Sequence, residues 1–141
     1  MADATARQAW IQARPEAGLV SVDLPLRANL SVLENIALGL QYQQATSPEA
    51  ALSRAWELLA WIGEDAFANH RDPDIACTTR FAAKLFRAAI LQPPLIIIDR
   101  PAQLLPDVDH PRWLTHCLER LADKIAPVTI IDYTWNAPLW T

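Results

Sequence analysis

Leu95-Ile96-Ile97-Ile98-Asp99-Arg100-Pro101 decides the fold of this 141-residue chain. Four large aliphatic residues in a row read as a strand buried on both faces, the kind found in parallel sheets covered by helices. The acid that closes the run falls at the sheet's carboxyl edge, where open α/β folds place their ligand chemistry. Asp99 is therefore the first candidate functional residue, and Arg100 beside it the second.

Working backward, Pro93-Pro94 stops a helix over about 78–91 whose inner face is Phe81, Leu85, Ala88 and Ala89. A polar connector, Asn69 to Ile75, precedes it. Ser47-Pro48 opens an earlier helix with Leu52, Ala55, Trp56, Leu59 and Ile62 on its apolar face and Gly63 at its end. Ser31 with Glu34 three residues on is a capping box, followed by Leu33, Ile36, Ala37 and Leu40 at helical spacing. Gly18 to Val22 reads as a short strand, and residues 1–16 as a loose or partly helical lead-in carrying Trp10-Ile11. Working forward, Asp109 caps a helix to about Lys124 with Trp113, Leu114, Cys117, Leu118 and Leu121. Val128 to Asp132 is a β-branched run and a last strand. The fold class expected is α/β, a small parallel sheet of about three strands with right-handed helical crossovers and an inserted helical part. Residues 1–141 are expected to form one domain, mainly helical over 31–92, with the last two strands in 93–135.

Composition narrows the function. Hydrophobic residues are 52% of the chain, which argues against disorder, and a net charge of −4 without basic clusters argues against nucleic acid. No apolar stretch approaches the ~20 residues of a membrane span, so no direct membrane insertion is expected. Two cysteines make no disulfide framework, so reduced thiols and a cytoplasmic location are expected. Three glycines stand singly, with no G-x-x-x-x-G-K-[ST] and no G-x-G-x-x-G in these residues. Phosphate cradles need glycine so that the backbone can approach the anion, so no nucleotide or other cofactor is expected.

Leu91-Gln92-Pro93-Pro94 followed by the strand and Asp99-Arg100-Pro101 resembles the Walker B region of ABC-transporter ATPases, where the usual ending is Asp-Glu-Pro. Leu30 to Leu40 resembles the segment after that family's Q-loop, and Arg87 to Pro94 the helix leading into Walker B. The resemblance runs from the Q-loop strand to the switch-histidine strand, which places it on the C-terminal two-thirds of such a domain. It implies altered motif positions throughout: Val22 for the Q-loop glutamine, Ile75-Ala76-Cys77-Thr78-Thr79 for the signature, Pro106 for the D-loop aspartate. Arg100 falls on the catalytic glutamate and Trp135 on the switch histidine, with Tyr133 as a second register. Asp99 and the structural Arg87 are retained. Phosphoryl transfer depends on positioning and charge around Mg-ATP, so catalysis is not expected of these residues.

The resemblance implies a degenerate pseudo-ATPase: a binding or structural subunit, with a transporter membrane subunit or other transporter component as partner. Such a subunit would sit in the cytoplasm, peripheral to the inner membrane through that partner. The alternatives are one half of a split ATPase needing a P-loop partner, and a solitary domain with a new ligand. Leu24, Leu26 and Leu30 are candidate interface residues near the docking segment. In the family a P-loop strand lies beside the strand corresponding to 128–132, which leaves that strand as an apolar edge here. Trp10-Ile11, the tail Trp135–Thr141, or a second copy in a homodimer could cover it, which adds Ile130, Trp135 and Trp140 to the candidate interface. Simpler readings stand beside these. Asp99 could cap the following loop, Cys77 could be an inert thiol, His70, His110 and His116 lack metal-ligand spacing, and Trp56, Trp61 and Trp113 fit core faces.

Overall fold

The computed structural model describes residues 4–140; residues 1–3 of the lead-in and Thr141 of the tail lie outside them. Eleven segments follow one another. Helix α1 is Ala4–Gln12, strand β1 Gly18–Val20, α2 Val32–Gln43 and α3 Pro48–Trp61, followed by a 3-10 turn at Asp65–Phe67. Then come α4 Cys77–Ala89, β2 Ile96–Asp99, α5 Pro101–Leu104, α6 His110–Leu121 and β3 Val128–Ile131, with a closing 3-10 segment at Thr134–Trp140.

The sheet is parallel, in the order β1-β2-β3, with Leu19 beside Ile97 and Ile97 beside Thr129. Strand β2 is central, and Ile96, Ile97, Ile98 and Asp99 are fully buried, as expected of an aliphatic run covered on both faces. Helix α4 packs on β1, while α2, α3 and α4 pack against one another as the helical part. One core joins both, from Ile36, Leu58 and Leu59 through Phe81, Leu85 and Phe86 to Leu114 and Leu121.

Local signals set most boundaries. The Ser31 side chain accepts from Glu34 N–H at 3.1 Å while Glu34 accepts from Ser31 N–H at 3.0 Å, the reciprocal box anticipated. Ser47 caps α3 through Ala50 N–H with Pro48 in its first turn, and Gly63 takes φ +74° just beyond it. Asp109 stands at the N-cap of α6 without a side-chain bond to it.

Three expectations change. Strand β1 stops at Val20 instead of reaching Val22, because a turn begins at Ser21, whose carbonyl accepts from Leu24 N–H at 3.2 Å. Trp56 and Trp61 are 44% and 47% exposed instead of buried, since Leu58 and Ala51 fill the inner face of α3. A shift of two positions along a helix turns a side chain by about 200°, so this stripe had a competing reading. Trp113, in contrast, packs edge-on against Phe81 at 5.6 Å.

Candidate functional site

The carboxyl edge of β2 holds a buried charge cluster. Asp99 Oδ2 accepts from Arg7 Nη1 at 2.8 Å, from Ser21 Oγ at 2.8 Å and from Arg100 Nη2 at 3.1 Å. Arg100 Nε also reaches Asp99 Oδ1 at 3.2 Å, and its Nη2 donates to Asp23 Oδ2 at 2.7 Å. Arg100 is thus a half-buried ion-pair partner of the fully buried Asp99. Burial works against its charge, but hydrogen bonds to Asp99 and Tyr133 and the fields of Asp99 and Asp23 outweigh it, raising the guanidinium pKa.

Asp99 does not cap the loop that follows; α5 has no side-chain cap, and Arg100 enters it in the left-handed region at φ +51°. Lys84 lies close by, 4% exposed, and donates from Nζ to the Ser21 main-chain oxygen at 3.3 Å. Arg7, Ser21, Asp23 and Lys84 carried no motif signal. Arg7 sits 92 residues from its partner on a helix with no apolar stripe.

The other motif positions lie elsewhere. Val22 is 41% exposed just past β1 and brings no oxygen to the cluster. Ala76 is exposed at the N-cap of α4, Cys77 is buried and Thr78 half-buried. That segment is tied to the preceding connector, with Thr79 Oγ1 donating to Glu64 at 2.9 Å and Arg80 clamping Asp72 through Nε at 2.9 and 3.0 Å. The same bond raises the Arg80 pKa against the opposing effect of burial. Trp135 is 68% exposed and stacks on Tyr133 at 4.3 Å. Arg87 holds the chain after β1 by donating to the carbonyls of Leu24 at 2.7 Å and Pro25 at 2.8 Å. Leu24 is exposed and Leu30 half-buried, but Leu26 is buried in the core, so it drops out of the candidate surface.

A second feature is an apolar groove of about 480 Å³ against β3, lined chiefly by Trp10, Ile130, Tyr133, Ala137 and Trp140. Ile96 N–H donates to the Pro127 carbonyl and Arg100 N–H to that of Ile131. Alternation along the strand therefore turns the peptide groups of Val128 and Ile130 away from β2, toward the open edge. Two of the three anticipated covers reach this region. Trp10 forms one wall, and Trp140 Nε1 donates to Asp132 at 3.0 Å while its ring meets His110 at 5.8 Å.

No protein-family model matches the chain. It is 30% identical over 121 residues to the glutamine transport ATP-binding protein GlnQ of Escherichia coli, covering 85% of this chain and 50% of that protein. Against the lipoprotein-releasing system ATP-binding protein LolD of Chromohalobacter salexigens it is 34% identical over 76 residues, covering 54% of this chain and 32% of LolD. The structure of MJ0796, a dimeric bacterial ABC transporter cassette, superimposes with a TM-score of 0.67 at 27% identity, over 94% of this chain and 59% of that one. The chain is a relative of the ABC transporter ATP-binding proteins. Its parallel sheet and helices match a segment of the ABC ATPase fold, and it spans half or less of the length of the two curated relatives named.

Magnesium and ATP are implied for this ABC-ATPase relative by its fold. The residues at the end of β2 do not fit a magnesium ion. Two guanidinium groups stand on the Asp99 carboxylate, and among the described residues no three His, Cys, Asp or Glu side chains converge as a metal cage. Like charge repels a divalent cation there, and octahedral oxygen ligation has too few donors. Among the described residues no helix is long and apolar enough to cross a membrane.

Proposed function

We propose that this chain is a non-catalytic, ABC-ATPase-like protein that acts as a binding or structural subunit of a transporter. The observation that carries the reading is the occupation of Asp99 by Arg7, Ser21 and Arg100. A carboxylate already neutralised by two arginines is a structural anchor. With Arg100 in place of an acid, that position supplies no base for water. Transport enters from the relatives, two of which are named for glutamine transport and lipoprotein release. The docking surface in this reading is the exposed turn at Val22 and Leu24, which Arg87 holds through the Leu24 and Pro25 carbonyls, together with the half-buried Leu30. The protein then works on the cytoplasmic side of the inner membrane, peripheral to it through its partner. The open edge of β3 supports a homodimer in the same reading.

That edge also favours a second reading, in which a separate P-loop polypeptide pairs with β3 and completes a split ATPase. The experiment is a tagged pull-down from solubilised native membranes, joined to ATP-binding and phosphate-release assays on the recovered complex. Recovery of permease or lipoprotein components without phosphate release supports the subunit reading. Phosphate release that depends on Asp99 in the recovered complex overturns it in favour of the split enzyme. Light scattering at tens of micromolar tests the homodimer, which a monomer would rule out.

A further inference from the structure

Helix α1 has no buried residue, yet it lies against the edge of the sheet. Helices in proteins are held mostly by packing of an apolar face, and nine residues are too few to be stable alone. Among the described residues one salt bridge joins α1 to the rest, Arg7 Nη1 to Asp99 Oδ2 at 2.8 Å. Its ends are unequal in commitment. Asp99 is fully buried and keeps Ser21 and Arg100 if Arg7 leaves, whereas Arg7 Nε is buried without a hydrogen-bond partner. One turn further along, Trp10 lies under the Arg14 guanidinium, 3.6 Å from its ring centre, and forms a wall of the β3 groove.

We propose that α1 is a releasable strap: the Arg7–Asp99 pair holds Trp10 against the β3 edge, and breaking the pair uncovers the apolar groove there. The pair and the groove are coupled by helix geometry, since residues three apart share a face. Arg7 and Trp10 therefore arrive and leave together. The body of the fold does not depend on α1, because its core is built from β2, α2, α3, α4 and α6. Local opening of such an element needs far less free energy than global unfolding. This places control of the edge strand in one buried carboxylate.

The test is hydrogen–deuterium exchange on the whole chain and its Arg7→Gln variant, followed peptide by peptide. Exchange over residues 4–12 is expected to rise by at least about tenfold in the variant, with α4 unchanged. Arg7→Lys keeps the charge and is expected to stay near the native rate. Unchanged exchange over 4–12 in Arg7→Gln overturns the strap. So does a rise spread evenly through α4, which would make α1 part of the cooperative fold. Asp99→Asn is the second variant; release of 4–12 with an intact core supports the proposal, and native protection overturns it.

Discussion

Lys84 donates from its ammonium to the main-chain oxygen of Ser21 at 3.3 Å, and both residues are buried. Desolvation is the largest effect on this amine, and the nearby charges of Arg87 and Arg80 add to it against Asp72 and Asp23, so its pKa falls below the ordinary 10.5. Between the lowered folded value and 10.5 the unfolded chain holds more protons, so this lysine makes stability rise with pH across that window. Lys84→Met removes that slope and is expected to be neutral or stabilising, because a buried cation is exchanged for an apolar chain of similar size. Urea unfolding of both proteins from pH 7 to 10 checks it: the stability of the variant relative to the native chain should shrink as pH rises.

Burial pushes the Cys117 thiol up to about 11, from 9.0, against a smaller opposing effect of Arg120. The nucleophile is the thiolate, so Cys117 is not expected to react in the folded chain, and burial shields Cys77 from a reagent. A thiol reagent at pH 8 should label both only at the rate of chain opening. Because the folded pKa is raised, the contribution of Cys117 to stability is complete below pH 9 and is lost as pH climbs toward 11.

The Glu34 carboxylate is held below its ordinary 4.5 by hydrogen bonds from the Ser31 backbone and side chain. Its contribution to stability is present above that value and is lost as pH falls through the lowered one. Ser31→Ala removes one half of the capping box and is expected to cost about 1 kcal/mol at pH 7. Thermal melts at pH 7 and pH 3 should show the difference shrinking in acid.

Gly18 opens β1 with no room for a side chain. A Cβ there would stand 3.0 Å from Ala88 Cβ and 3.2 Å from Pro93 Cγ, both on stiff elements. Gly18→Ala is therefore expected to cost about 1–3 kcal/mol by overpacking. At Gly39 the equivalent atom meets only the end of the Leu91 side chain, at 3.0 Å, which can rotate away. Chemical denaturation should rank Gly18→Ala well below Gly39→Ala in midpoint.

Arg100→Glu puts an acid at the position that the resemblance assigns to the catalytic glutamate, and it places three carboxylates together with Asp99 and Asp23. The variant is expected to lose about 3–5 kcal/mol, the range for breaking a buried pair from one side, and to gain no phosphate release. A melting curve and a phosphate assay on the same sample decide it.

Short-range chemistry made much of the fold legible. Ser31 with Glu34 and Ser47 with Pro48 mark helix starts because a cap bond spans only three residues. Ile96 to Ile98 mark the central strand because an unbroken aliphatic run requires cover on both faces. Trp56 was harder, since the α3 pattern admits two apolar stripes and only packing against α2 and α4 chooses between them.

The chain's sequence by itself determined the order of its elements, the central β2 and the adjacency of Asp99 and Arg100 at its end, because these depend on neighbours along the chain. Tertiary structure alone decided what Asp99 does. Arg7, Ser21 and Arg100 meet on that carboxylate only after β1 and β2 have paired and α1 has crossed the sheet edge. A contact across 92 residues leaves no periodicity to read; it arises because a buried charge must find its counter-charge wherever the fold supplies one.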